Sequence, residues 1–586
     1  MSDIIDAAVC HHFGFLKGSD SIKAAYLKGI DLPSGGLLLP FSTCHLADDD
    51  LLTTLADWRN VNVSAYPEQF VATLESTRRW AEVGLLESKG RILFLVLNNH
   101  GRIVGHLGFN NCTNNRSRFE IDNVVRGCNS NKGILSEAMQ VICTWAKNSF
   151  PVDEIYLRVL ESNSHAVKFY ERLGFVCGQK TKLKKVKKGA TTNLEPLPDE
   201  SSDYEDKFVE MVLQEKVENG DSLILTAGPS ISAIESSYAY DAAARGWNSR
   251  WSIYLTKFEE EFAEYVGAKH ALATSSCTGA LHIALMALDI GPGDEVIVPD
   301  QTWVATANAV RYAGATPIFA DVELDTWNID ATKLEHLITE KTKAIMPVHM
   351  YGQPARMSEV MRVAKKFNLR VVEDAAPAIG AEWKGKRCGS FGDFAGFSFQ
   401  GAKLLVTGEG GMLVMNDDAL YERAKKIWDQ GRNPNKTFWI DAEGVKYKMS
   451  NIQAAIGLGQ LQRADELIEM KRRLFSWYEE GLSDVPHITL NKEVEHARSI
   501  YWMSSLFLDE AASIDRDELI AQLKLRNVDT RPVFPAISQY PIWPLKQEPQ
   551  PNALRVGLRA MNLPSGVCLT KDQVMYVCRN IADLVK

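Results

Sequence analysis

What this chain lacks narrows it first. No uninterrupted run of roughly eighteen apolar residues occurs, so no segment reads as a membrane-spanning helix. The opening stretch, MSDIIDAAVCHHFGF, has neither a basic leader nor a long apolar core, and no targeting segment is expected there. The 10 cysteines are scattered without a CxxC. That argues against a disulfide framework or a zinc site and for reduced thiols. His11 and His12 have no partners at ligand spacing, so no metal is expected. The net charge of −9 leaves no basic excess, which excludes a general nucleic-acid or acidic-membrane partner. Internal repeats and low-complexity tracts are absent as well. These absences leave a soluble, cytoplasmic globular protein, and 586 residues predict two or three domains.

In the N-terminal third, residues 1 to about 50 carry no clear period, and 31–43 read as loop and short strand. Asp48 to Asp50 can cap a helix through Leu51, Leu52, Leu55 and Trp58. A second helix is predicted over 67–83. Apolar runs at 91–97 and 103–109, joined by the turn Asn99-His100-Gly101-Arg102, predict a β-hairpin, and 119–125 a third strand. A polar loop, 126–133, opens a helix at 134–145. Its exposed amides suit a pyrophosphate. A strand at 155–160 follows, then a helix over 163–173 capped near Ser162 or Asn163 and closed by Gly174. Residues 177–206, basic then acidic, read as a solvated hairpin loop, and 208–213 as the last strand of this domain.

This order, with ESNSHAVKFYERLGF at 161–175, resembles the GNAT superfamily of acetyl-CoA-dependent N-acetyltransferases. The resemblance implies that the loop before the long helix holds the CoA pyrophosphate, through Lys132 and Gly133. It implies that Asn163 lies near the CoA arm and that Tyr170 protonates the leaving thiolate. The family often places a base for the acceptor amine on the strand at 119–125. Glu120 and Asp122 are the candidates there, with Glu120 assigned. Only side chains of one parity face the cleft, and the sequence does not say which. The loop itself departs from the family's Arg/Gln-x-x-Gly-x-Gly/Ala pattern. DWRN at 57–60 is like the acceptor side of GNAT enzymes that act on nucleotide-linked amino sugars.

Beyond a linker at 217–221, strands alternate with helices, which argues for a parallel sheet covered on both faces. Ligands in such sheets sit at the carboxyl ends of the strands. There, Asp374 ends the strand LRVVEDAA, and Lys403 stands in a small-residue turn after AGFSF, just before the glycine-rich 407–411. An amine and a carboxylate so placed are what pyridoxal 5'-phosphate needs: the amine forms the Schiff base and the carboxylate keeps the pyridine nitrogen protonated. Ser276 to Gly279 free backbone N–H groups at a helix start, suited to the phosphate. Trp303 can stack on a planar ring.

Six motifs in order, SSCTGALHIAL, GDEVIVPDQTWVATANAV, VHMYGQP, VVEDAAPAIGA, FSFQGAKLLVTGEGG and YKMSNIQAAIGLGQL, resemble the DegT/DnrJ/EryC1/StrS sugar aminotransferases, fold-type I enzymes. GRNPNKTFWI, TRPVF and NLPS look most like the perosamine-synthase branch. The resemblance implies Lys403 as Schiff-base lysine and proton shuttle, and Asp374 as partner of the pyridinium. It gives Thr278, Gly279 and Ser398 to the phosphate and Trp303 to the ring. Lys446 would reach a neighbouring subunit's cofactor phosphate in a homodimer, and His349 and Arg531 would bind substrate. Pro377 stands where many relatives carry Gln or Glu. The segment Lys446-Tyr447-Lys448-Met449 replaces Asn-Tyr-Arg-Met. Related dehydratases have His at the lysine position, and Lys403 argues against that chemistry.

The expected fold class is α/β: a GNAT-type mixed α/β domain (1–216), then a fold-type I aminotransferase domain (222–586). The latter should have a large parallel or mixed sheet with helices on both faces and a small C-terminal α/β subdomain. The expected function is bifunctional. The 4-keto group of a nucleotide-linked 4-keto-6-deoxyhexose is transaminated with L-glutamate as donor, and the amine is then N-acetylated from acetyl-CoA, as in polysaccharide or O-antigen synthesis. The alternatives are an aminotransferase with a non-catalytic acyl-CoA-binding or regulatory module, and a UDP-2-acetamido-4-keto-6-deoxyhexose substrate on a nonulosonic acid route.

Overall fold

The computed structural model describes residues 2–113, 118–128, 133–150, 152–189, 191–198, 201–214 and 223–585. Two compact units emerge, Met1–Val217 with Ile231–Ser237, and Glu218–Ser230 with Tyr238–Lys586. The expected linker at 217–221 and the site residue Lys132 lie outside the described residues.

The first unit is built on a ten-stranded sheet. The apolar run Ile92–Leu97 is buried along its whole length because both faces are covered. Ile92, Phe94 and Val96 join one core with Phe109, Ile142 and Ala146. Leu93, Leu95 and Leu97 join another with Leu51, Leu52 and Leu55. This is period-2 alternation with two apolar faces, and it reads as a continuous hydrophobic stretch. Asp48 caps the helix Asp49–Val61, accepting from Leu51 N at 2.9 Å, as expected.

Two features of this sheet make room for a site. Arg118–Arg126 runs parallel to Glu154–Leu160, but their ladder spans only Arg118↔Glu154 to Ile121↔Leu157. Beyond Ile121 the strands part. On its other side, the same strand is irregular against Ile103–Asn110, where His106 pairs Val125 and Gly108 pairs Asp122. Asn123, inside that bulge, takes a left-handed φ of 53°, a conformation asparagine tolerates better than most side chains.

Two expectations for this unit are corrected, and one stretch without a clear period takes shape. Residues 2–17 form a helix, Ser2–Lys17. It is held by Val9, Phe13 and Leu16, which share one face and are buried in the sheet's core. The helix expected over 67–83 is shorter. Glu68–Gln69 is an edge strand paired with Thr192 and Asn193. The helix Leu74–Arg79 begins only where Thr73 caps it through Ser76, and Trp80–Leu86 continues as a π-helix. The basic and acidic tract at 177–206 is mainly strand, Phe175–Lys188 and Thr191–Pro196. Its lysines pair with carboxylates, Lys184 with Asp203 at 2.8 Å and Lys188 with Glu195 at 2.7 Å. Charges on both strand faces hide the alternation by which a strand is recognised.

In the second unit a seven-stranded sheet carries the order His270–Thr274, Gly411–Met415, Phe394–Ser398, Arg370–Asp374, Thr342–Ile345, Glu295–Pro299, Thr316–Ala320. The last five are parallel, and Gly411–Met415 is antiparallel to both neighbours. Apolar clusters bury the sheet among helices such as Cys277–Ala287 and Met357–Phe367. A four-stranded antiparallel sheet, with helices Ala464–Leu482, Arg516–Leu525 and Lys571–Leu584 over a separate core, forms the small C-terminal part.

Candidate functional site

Asp374 and Ser398 end neighbouring parallel strands. Both line a cavity of about 760 Å³, together with Lys403, Thr278, Trp303 and Arg531. The structure thus brings six of the residues singled out from sequence to one concave surface, at the carboxyl ends of the strands.

Lys403 Nζ lies 3.7 Å from the centre of the Trp502 ring. Loss of hydration lowers its ammonium to about 8, against the opposing pull of Asp374 and Cys277. Trp502 is held in turn, its Nε1 donating to Ala402 O at 2.8 Å. Beneath it the buried Lys471 donates to Trp502 O at 2.8 Å, and burial brings Lys471 down to about 7.

Asp374 accepts from Thr306 Oγ1 at 2.7 Å and from Ala376 N at 3.1 Å. Thr306 is 3.1 Å from Thr302 Oγ1. The Cys277 thiol lies 3.9 Å from the other carboxylate oxygen. Burial raises Asp374, while the Thr306 and Ala376 hydrogen bonds and the Lys403 charge oppose the rise. A buried carboxylate in this setting is best satisfied by a cation or an N–H donor from a ligand.

The turn at Ser276 to Gly279 starts the helix Cys277–Ala287. Ser276 Oγ already accepts from Gly279 N at 3.1 Å, and the Tyr447 ring would lie 3.0 Å from any Cβ at Gly279. Thr278 therefore faces the cavity and Gly279 does not. The glycine-rich 407–411 acts through close packing. A Cβ at Gly411 would stand 2.4 Å from the Ser276 carbonyl carbon, so only glycine lets this strand pass under the turn. Trp303 is 56% exposed and sits 5.3 Å from the Phe534 ring, an open face at the cavity wall. Lys446 is exposed and does not line the cavity of its own chain.

His349 is corrected as a substrate-binding residue. It is fully buried and is not among the residues that line the cavity. Ala355 N donates to its Nδ1 at 3.1 Å, so Nε2 carries the proton and donates to Glu373 Oε2 at 3.0 Å. Glu373 also accepts from the amides of Gly389, Phe391 and Gly392 at 2.7–2.8 Å. The pair is scaffolding beside Asp374. Glu373→Ala is expected to destabilise the second unit by on the order of 3 kcal/mol, since it strands four donors, two of them fully buried. A drop in its thermal midpoint checks this. Sequence reasoning misses Thr306, Cys277, Trp502 and Phe534. Thr306 stands in TWVATANAV, four residues after Thr302, where one helical turn would align them.

The first unit has its own cleft, of about 890 Å³, where the two parallel strands part. Gly133, Asn163, Tyr170, Glu120 and Asp122 all line it. Asn163 caps the helix Ser164–Arg172. Glu120 and Asp122, two apart, share a strand face, so the parity of the strand does not choose between them. Glu120 is buried and held by Arg158 Nε at 2.7 Å and Asn111 Nδ2 at 2.5 Å. Asp122 is paired with Arg91. Burial holds the Tyr170 phenol well above its usual range, with the charges of Asp122 and Tyr66 adding to the rise.

Comparison with known proteins agrees with both halves. A GNAT acetyltransferase domain model matches residues 40–176. The GDP-perosamine synthase of Caulobacter vibrioides is 43% identical over 358 residues, 60% of this chain and 95% of that protein. That of Escherichia coli O157:H7 is 42% identical over 353 residues, 60% and 96%. The solved structure of DesI in the presence of its TDP-sugar product superposes with a TM-score of 0.58 at 31% identity, covering 62% of this chain and 93% of DesI. The family uses pyridoxal phosphate, and the GNAT domain implies acetyl-CoA. The donor set fits the former: an amine, a buried carboxylate and two hydroxyl-bearing residues on one cavity. With the family model matched over residues 229–582, the chain belongs to the DegT/DnrJ/EryC1/StrS aminotransferase family, with a GNAT acetyltransferase domain preceding it.

Proposed function

We propose that the chain makes an amino sugar in its second unit and N-acetylates it in its first. The second unit transfers the amino group of L-glutamate to the 4-keto carbon of a nucleotide-linked 4-keto-6-deoxyhexose, in the cytoplasm and as a homodimer. The single observation that carries this reading is the convergence of Lys403, Asp374, Thr278 and Ser398 on one cavity in a chain whose relatives include GDP-perosamine synthases.

When bound, pyridoxal phosphate supplies the electron sink that amino transfer needs. Lys403 supplies the amine that holds it and moves the substrate's proton on Nζ. A pKa near 8 leaves part of that amine unprotonated at neutral pH, as a nucleophile and base require. Asp374, oriented by Thr306, accepts the pyridine N–H. Thr278 and Ser398 offer hydroxyls to the phosphate, and Trp303 packs on the ring. Arg531, 69% exposed and loosely paired with Asp529 at 3.5 Å, offers its guanidinium to an anionic group of the substrate. Lys446 serves the partner subunit's phosphate as a point charge.

In the first unit, acetyl-CoA lies in the cleft between the parted strands, with its pyrophosphate at the helix start after Gly133 and with Asn163 near its arm. Tyr170 gives its proton to the departing thiolate, a role that a phenol kept protonated by burial suits.

The test is incubation with glutamate and a panel of GDP-, dTDP- and UDP-linked 4-keto-6-deoxysugars, with and without acetyl-CoA, read by mass spectrometry. The expected result is a ketone-to-amine mass change with one nucleotide, and a further acetyl mass only when acetyl-CoA is present. An amine that forms but never gains acetyl would remove the second activity.

A further inference from the structure

A second, smaller cavity of about 270 Å³ opens beside the acetyl-CoA cleft. The two share Tyr66, Pro67, Arg91, Asp122 and Asn123 in their walls. Its volume is just below the range of pockets that hold drug-sized ligands, so it accommodates one ring-sized group and not a whole nucleotide sugar. Tyr66, Phe70 and Trp80 give it aromatic walls. Arg59 packs over Tyr66 and Phe70 at 4.3 and 4.5 Å and donates to Glu68 O at 3.1 Å, which fixes that wall in place.

The amine of an acceptor here must lose a proton, and the carboxylates of the neighbouring strand are already engaged. Glu120 is bound by Arg158 and Asn111. Asp122 is bound by Arg91 and by the amide and side chain of Asn123, each at 2.8 Å. His106 is different. It lines the small cavity and stacks on Trp58 at 6.0 Å. Its Nδ1 is 2.7 Å from Asn123 O. A carbonyl only accepts, so Nδ1 carries the proton and Nε2 keeps the lone pair. The left-handed turn of Asn123 sets this tautomer.

We propose that the small cavity is the acceptor pocket, that it takes the sugar ring of an amino sugar, and that His106 Nε2, not Glu120 or Asp122, accepts the amine proton. The inference rests on the acetyltransferase reading above. The amine nitrogen bonds to the thioester carbonyl carbon and its proton passes to His106 Nε2. The carbon–sulfur bond breaks, the thiolate takes the Tyr170 proton, and both residues are reset through solvent. Burial lowers the His106 imidazole to about 4, with the Asn123 carbonyl and Asp122 opposing. It is therefore neutral and able to accept across the working range. A base weaker than free imidazole can serve, because the nitrogen bonded to the carbonyl carbon holds its proton far less tightly than the free amine does. The charged groups around it are Asp122, Arg91, Arg59 and Glu68, and the acceptor enters as the free amine, its ammonium having already lost one proton to solvent.

The experiment compares the full-length parent with His106→Asn and Trp80→Ala, using the amino sugar made by the second unit. Asn at position 106 can still donate to the Asn123 carbonyl but has no Nε2. Its kcat is expected to fall about 10²–10⁴-fold with KM for acetyl-CoA unchanged. The remaining rate should climb with pH while the parent's kcat stays flat above about pH 5. Imidazole should restore part of the rate. Trp80→Ala is expected to raise KM for the sugar and leave KM for acetyl-CoA alone. A His106→Asn rate within threefold of the parent overturns the role of His106. An unchanged sugar KM in Trp80→Ala overturns the pocket. A parent that transfers no acetyl group to any nucleotide amino sugar overturns the acetyltransferase reading itself, and this inference with it.

Discussion

Lys403→Ala is expected to abolish transamination, lowering kcat by on the order of 10⁴-fold or more, because the variant loses both the amine that anchors the cofactor and the base that moves the substrate proton. The purified parent should absorb in the visible through its lysine-linked cofactor, and the variant should not. Thermal melting of the two apoproteins should differ little, since Lys403 Nζ makes one ring contact with Trp502 and Asp374 keeps its hydrogen bonds from Thr306 and Ala376. A pH dependence follows from the lowered ammonium. Lys403 must lose its proton before it can bond to the cofactor's aldehyde carbon. Apoprotein should therefore recombine with pyridoxal phosphate faster as pH rises toward about 8, with little further gain above it. Visible absorbance retained in Lys403→Ala would remove Lys403 from the site.

Tyr170→Phe is expected to lower kcat for acetyl transfer by about 10²–10⁴-fold while leaving transamination intact. The substitution keeps the ring packing, with Phe169 and Phe175 at 5.3 and 6.0 Å, so a lost rate reports the hydroxyl. The phenol is held protonated by burial and by the charges of Asp122 and Tyr66. Its donor capacity should therefore not titrate away below strongly alkaline pH, and the parent rate should show no alkaline limb from this group. The readout is thiol release from acetyl-CoA in the presence of the amino sugar. Equal rates for parent and Tyr170→Phe would move proton donation elsewhere and favour a first unit that binds acyl-CoA without catalysis. The same preparation should still convert ketone to amine, which separates this outcome from misfolding.

Much of both sites is legible in the order of residues along the chain. Lys403 and Asp374 can be paired because each follows or ends a short apolar strand, and strand ends in a parallel sheet converge. Tyr170 and Asn163 are legible because one lies on a helix that the other caps. His349 misleads because a histidine in a motif looks the same whether its nitrogens face a substrate or a carboxylate. Only the contact with Glu373 and the Ala355 amide separates the two. The helix Ser2–Lys17 escapes notice although Val9, Phe13 and Leu16 stand at helical spacing, because the residues around them are nearly as apolar. Thr306 and Trp502 cannot be tied to the site from their neighbours in sequence, since each meets its partner, Asp374 or Lys403, across 68 and 99 positions of chain.

By itself the sequence determined the two-part organisation, the strand and helix order of the second unit, and the lysine and carboxylate that meet at its cavity. Those features are local: a strand's period, a turn's small residues and the residue that ends each strand. The tertiary structure alone decided which side chains surround them. It set Thr306 against Asp374 and Trp502 under Lys403, and it closed Gly279 behind Tyr447. It also split the parallel strands after Ile121 and bent Asn123 into the left-handed region that points the His106 lone pair away from the sheet's carbonyl. Burial and hydrogen bonding act through space between residues far apart in the chain, and no local pattern records them.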